Sequence, residues 1–333
     1  MRITSETLFK IANDTIGRRT RSDRDIIAAY VHGSLLEGDP LLGGTTDIDL
    51  FFIHAEPAPL TREIQRLTDE IHLDIAHHTQ SDYRHTRDLR LHPWLGPTLS
   101  GCKILYDPQH LLDFIQAGVR SQFNRPDNVL RRARGQAEHA RQIWLSLHDL
   151  ANEPALHEIV FYLRAVEHAA NAIALLSGSP LTERRFLLQF PLRAEAIERP
   201  GLFKGLLGLL GAQNVDGDGL RAMLPAWETA YKAISPTGAS PRLHPDRRLY
   251  YRSAFEKILQ GERPHCLLWP LLRTWTEAIS LLSSEGAERQ AWQDTFLRLG
   301  LMGANFLQRV AALDAYLDTI EETLDEWARV RGL

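Results

Sequence analysis

The sequence predicts an α+β chain in which a small mixed β-sheet carrying helices is followed by a larger all-α helical bundle. Three observations predict it. Residues 26–31 (IIAAYV) are an apolar run leading to a Gly-Ser turn, and residues 47–50 (DIDL) alternate polar with apolar, so two strands lie close together in the chain. Two further runs of strand type, 71–78 and 103–106, alternate with helical patterns, as a sheet with helices on it requires. From Pro126 onward apolar residues recur at helical spacing almost without interruption.

Taken in order, residues 5–17 put Leu8, Ile11, Ala12 and Ile16 on one helical face with Thr4 or Ser5 as N-cap, and 18–25 is expected as a solvated connection. The strand 26–31 follows, then the tight turn Gly33-Ser34, a Gly-rich loop and a second strand opened by Asp47-Ile48-Asp49-Leu50. Beyond Pro57 and Pro59 the spacing of Ile64 and Leu67 predicts a helix over 61–70. A third strand covers 71–78, residues 81–98 are polar and irregular, and 103–106 is one more strand before the Asp107-Pro108 turn. Helices are then expected over 127–149, 154–177, 192–211, 218–233, 245–260, 263–284, 286–299 and 302–330. The clearest is 154–177, where Leu156, Ile159, Val160, Leu163, Val166, Ala170, Ile173 and Leu176 keep the helical rhythm and Gly178 supplies the stop. These elements divide the chain into 1–120, which holds the sheet, and 121–333, which holds the bundle, the boundary falling between 107 and 127.

Composition narrows the function classes. A chain of 333 residues with 44% hydrophobic and 24% charged residues has ample length for two cores and belongs with ordinary globular proteins. Two cysteines, Cys102 and Cys266, are too few and too scattered for a disulfide framework or a zinc site. No apolar run has the length to span a bilayer and the opening MRITSETLFKIANDT lacks the apolar core of a signal peptide, so a cytoplasmic location without a membrane partner is expected. A formal net charge of −4 argues against a chain-wide footprint for nucleic acid.

The chemistry is most legible in 26–53. Successive strand side chains alternate faces, so Asp47 and Asp49 project to one side while Ile48 and Leu50 point to the other. A third acid, Asp74, lies out of phase with Leu73 and Ile75 on the third strand. Like charges held together are costly without a cation between them, and hard oxygen ligands suit Mg²⁺, which takes substrate phosphates to complete its shell. Gly33 frees the backbone for close approach to phosphate, and Ser34 is expected to open a short helix whose N–H groups suit an anion.

The pattern His32-Gly33-Ser34, twelve residues, Asp47-Ile48-Asp49-Leu50, then Asp74 on a later strand, resembles the signature of the nucleotidyltransferase fold superfamily. That group includes DNA polymerase beta and the aminoglycoside nucleotidyltransferases, and the nearest likeness is to minimal and aminoglycoside-type members with a C-terminal helical domain. The resemblance covers about residues 20–115. It implies a nucleotidyltransferase domain over 1–120 and an acceptor-binding helical domain over 121–333. The implied reaction moves a nucleoside monophosphate, AMP from ATP or the equivalent from another NTP, to a hydroxyl of a small-molecule acceptor of aminoglycoside-like kind. Two Mg²⁺ ions would serve it, held by Asp47, Asp49 and Asp74, with Gly33 and Ser34 at the phosphates. In one departure, the loop 37–46 lacks the basic residue that several relatives carry soon after the Ser, so Lys103, Arg84 and Arg87 become candidates to meet phosphate charge.

His32 ends a buried strand and suits a structural hydrogen bond better than a site wall, and His77 and His78 face opposite ways and make no metal pair. Asp216-Gly217-Asp218-Gly219 is half a calcium loop and is better explained as a turn with Asp218 as N-cap. Aminoglycoside-type members place a glutamate of their helical part near the acceptor hydroxyl; Glu158 and Glu167, on the polar side of 154–177, are candidates for it, and Arg184-Arg185 for an acidic group. The pairs Arg134 with His139 and Arg141 with His148 match the spacing of a ribonuclease toxin motif, but so many arginines and 14 histidines produce such pairs by chance. The competing class is a module that attaches AMP to a partner protein or, like an antitoxin, binds nucleotide without turnover.

Overall fold

In the computed structural model of the chain, Thr4 caps the first helix, α1 (Ser5–Ser22), its hydroxyl accepting the Thr7 N–H at 3.2 Å. The structure describes residues 3–148, 153–235, 240–282 and 286–333. The helix runs through the stretch expected as a connection, because Thr20 is buried and its hydroxyl donates to the Ile16 carbonyl, while Arg19 and Arg21 in the last turn favour the helix dipole. Leu8, Ala12 and Ile16, four residues apart, form the buried stripe.

Five strands follow the expected order with one addition: β1 (Ile26–His32), β2 (Thr46–His54), β3 (Arg62–Arg66), β4 (Ile71–Thr79) and, after helices α2 (Thr86–Leu91) and α3 (Leu95–Gly101), β5 (Lys103–Tyr106). They form one mixed sheet in the order β3-β4-β2-β1-β5. β2 and β4 are parallel and every other pair is antiparallel. Helix α4 (Leu111–Arg120) completes this part of the chain.

The helix expected over 61–70 is instead β3 and a hairpin turn. Two apolar residues three apart, Ile64 and Leu67, cannot distinguish a helix from an edge strand. The outer edge of β4 needs a backbone partner, and Arg62–Arg66 supplies it from Ala76 to His72. Thr68 builds the turn, its hydroxyl accepting the N–H groups of Glu70 and Ile71. The segment 81–98 is likewise not irregular, since it holds α2 and α3, with Leu89 and Leu99 buried against the sheet.

Alternation along the strands makes two cores. On one face Ile48, Leu50, Phe52, Leu73 and Ile75 meet Leu8, Ala12 and Ile16 of α1. On the other, Ala28, Tyr30 and Ile53 meet Leu89, Leu99, Leu112, Ile115 and Val119 of α2, α3 and α4. Each such Leu, Ile or Phe contributes about 1.5–3 kcal/mol when fully buried, which fixes strand register as well as stability.

The remainder is helical: α5 (Pro126–His148), α6 (Leu156–Ala174), α7 (Phe186–Glu195), α8 (Gly201–Leu209), α9 (Gly217–Lys232), α10 (Arg247–Leu259), α11 (Leu268–Leu281), α12 (Ala287–Leu299) and α13 (Phe306–Val330). The expected helix ends at 149 and 283–284 lie outside the described residues. The chain divides into two compact units, Met1–Asn128 with Arg252–Ala254, and Val129–Tyr251 with Phe255–Leu333. α6 is central to the second unit: from Ala169 to Ala174 every residue is buried. The single helix expected over 192–211 is two, α7 and α8, because Glu198 adopts φ 60 and Pro200 starts the second. Asp216, not Asp218, caps α9, its carboxylate accepting the Gly219 N–H at 2.8 Å. Arg141 of α5 binds Asp314, Asp318 and Glu321, which recur along one face of α13. Among the described residues no helix is long and apolar enough to cross a membrane.

Candidate metal centre

β1 ends at His32 and the chain turns through Gly33, whose φ of 85° and ψ of −160° lie in a region that only glycine adopts readily. A Cβ placed on Gly33 would stand 2.0 Å from Asp49 Oδ2. The space left by the missing side chain is therefore taken by the Asp49 carboxylate, rather than kept open for phosphate. Ser34 opens a 3₁₀ turn (Ser34–Leu36), not an α-helix, so little dipole is available there for an anion. What the turn offers is backbone N–H and one hydroxyl.

Asp47 and Asp49 follow on β2, both half-buried, while Ile48 and Leu50 between and beyond them are fully buried. The parallel pairing of β2 with β4 sets Asp49 directly opposite Asp74 and Asp47 opposite His72. Directly opposed residues share a face. The carboxylates of Asp47, Asp49 and Asp74 each bring an oxygen within 4.8 Å of the others, the one such group of potential metal ligands among the described residues. The three acids expected together are thus together. Their oxygen donors, without nitrogen or sulfur, are of the kind that a hard divalent cation takes.

Asp74 differs from the other two. It is 3% exposed, and both its oxygens accept from one guanidinium: Arg62 Nε to Oδ1 at 2.5 Å and Nη2 to Oδ2 at 2.7 Å. Arg62 opens β3 on the same face, since Ile64 is the residue paired with Asp74 and Arg62 stands two before it. The sequence alone does not single out Arg62, because the spacing of Ile64 and Leu67 predicts a helix over its segment. The signal that finds it is the turn Thr68-Asp69-Glu70 between two strand-length stretches.

His32 is paired with Asp49 in the β1–β2 register, so it stands beside the acids. Burial pushes its pKa down to about 4, and among the described residues its Nδ1 has no hydrogen-bond partner. The ring packs by Gly101, where an added Cβ would lie 3.4 Å from His32 Cε1. His77 and His78 point to opposite faces: His77 Nδ1 shares a 2.9 Å hydrogen bond with His54 Nε2, and His78 Nδ1 one of 2.6 Å with the Tyr83 hydroxyl.

Lys103 is not brought to the carboxylates. It pairs with Val31, whose side chain belongs to the α1 core on the opposite face, and its Nζ sits 4.3 Å from the centre of the Phe9 ring. Arg84 and Arg87 are exposed. Within the helical unit, Glu158 accepts the Ala155 N–H at the start of α6, a capping role. Glu167, whose pKa burial raises, stands 3.7 Å from Arg273 Nη2. Arg184 is buried with its guanidinium 3.3 Å from the centre of the Tyr250 ring, and Arg185 is half-buried just before α7.

No protein-family model and no curated protein matches the chain.

Proposed function

We propose that the chain is a Mg²⁺-dependent nucleotidyltransferase that moves a nucleoside monophosphate, with AMP from ATP as the first case to test, to a hydroxyl of a small-molecule acceptor. The observation that supports this best is the convergence of Asp47, Asp49 and Asp74 within 4.8 Å, on paired strands and beside a glycine turn that admits Asp49. It adds spatial order to a pattern already resembling that superfamily.

The carboxylates fit a divalent cation by donor type. Asp47 and Asp49 would hold it, with Asp74 reached through its pairing opposite Asp49. When bound, the ion neutralises charge on the transferring phosphoryl group and makes the acceptor hydroxyl easier to deprotonate. The chain's own contribution is positional. Fully buried Ile48 and Leu50 anchor β2 so that both of its carboxylates face one way, and Gly33, having no side chain, leaves the Asp49 carboxylate the space it occupies. Gly33 and Ser34 present backbone N–H groups and a hydroxyl beside these acids for triphosphate oxygens.

Asp49→Asn tests the proposal. Incorporation of labelled nucleoside monophosphate from each NTP, across a pool of hydroxyl acceptors that includes aminoglycosides, is expected to fall at least about 100-fold with an unchanged circular dichroism spectrum. Turnover retained in a folded Asp49→Asn protein would sink the assignment.

A further inference from the structure

We infer that Arg62 is an internal counter-ion of the metal centre, which holds Asp74 in competition with a metal ion and is exchanged for that ion when it binds. The inference rests on the metal-centre reading of the three acids and adds to it a positioning residue outside the superfamily pattern.

A carboxylate as buried as Asp74, with two more carboxylates within 4.8 Å, is costly to hold without a cation beside it. Arg62 supplies one in the strongest available geometry, a two-bond fork that engages both oxygens. A Mg²⁺ ion binds carboxylate oxygen at about 2.0–2.1 Å and would have to share those oxygens with a guanidinium already on them. Two cations on one carboxylate repel each other, and the burial of Asp74 itself weakens the screening between them. Asp74 therefore serves one of them at a time.

The fold lets the exchange occur cheaply. β3 is an edge strand of the sheet, Arg62 is its first residue, and its side chain is 47% exposed although Asp74 beneath it is closed to solvent. A long side chain at that position swings into water without disturbing the buried layer. The cation on Asp74 is thus supplied by the protein until an ion displaces it, so the affinity of the third carboxylate for metal is set by a residue two strands away from the Asp47-Ile48-Asp49 motif.

The test is Mn²⁺ binding to the full chain without nucleotide, by calorimetry and by counting bound Mn²⁺ with electron paramagnetic resonance, for wild type, Arg62→Gln, Arg62→Lys and Asp49→Asn. Arg62→Gln is expected to bind Mn²⁺ about tenfold tighter than wild type, the scale of a typical coupling between competing sites, with Arg62→Lys in between. A gain in affinity is an outcome that a merely structural arginine cannot give, because its loss would loosen the site. Equal or weaker binding by both Arg62 variants, with Asp49→Asn clearly impaired, overturns the role of Arg62 and leaves the metal centre standing. Absence of Mn²⁺ binding throughout, or Asp49→Asn binding as wild type does, overturns the metal centre and this inference with it.

Discussion

Gly33 meets two constraints at once. Its backbone angles are accessible to glycine alone, and its missing side chain is replaced by the Asp49 carboxylate 2.0 Å from where Cβ would be. Gly33→Ala is therefore expected to cost about 1–3 kcal/mol in urea unfolding and to move Asp49 away from its partners, weakening divalent-cation binding. An alanine variant as stable as wild type and with unchanged Mn²⁺ affinity would show that the turn relaxes freely. At this scale the sequence was informative about identity and poor about partners. Asp47, Asp49 and Asp74 could be picked out because strand alternation is local, whereas Lys103 was picked on charge alone and lies on the opposite face over Phe9. Arg62 was invisible, because its importance comes only from the strand across which it reaches.

Among the elements, β1, β2, β4 and β5 were legible because each couples an apolar run to a bounding turn, and β3 was not because REIQR carries one apolar residue and takes its conformation from β4. The break between α7 and α8 belongs to the same class. Pro200 was in plain view, yet the apolar rhythm across 192–211 outweighed it, and the observed break forces Glu198 into a left-handed conformation at φ 60. Glu198→Gly, on an exposed residue, is expected to raise stability by about 1 kcal/mol, visible as a higher melting temperature. No change on substitution would mean that the connection absorbs the strain elsewhere.

For the whole molecule, stability should depend on pH through histidines that fold as neutral groups. On α6, burial, with His139, Arg164 and Arg273 nearby, pushes the His168 pKa down to about 4, and its Nδ1 lies 2.9 Å from the Gln136 amide oxygen. The unfolded chain takes up this proton near pH 6.5, so the contribution is fully present above that pH and is lost as pH falls toward 4, with about 2 kcal/mol gone by pH 5. His168→Gln should flatten the slope of unfolding free energy against pH in that window by close to one proton, and an unchanged slope would refute the assignment. The shift of His32 has the same sign. What the sequence determined by itself was the α+β class, the helical second half and the identity of the three acids, because amphipathic period and turn chemistry are properties of adjacent residues. The tertiary structure decided the register that sets Asp49 against Asp74, the strand β3 and the grip of Arg62 on Asp74, because hydrogen-bond pairing between distant segments is fixed only when both cores of the sheet are buried at once.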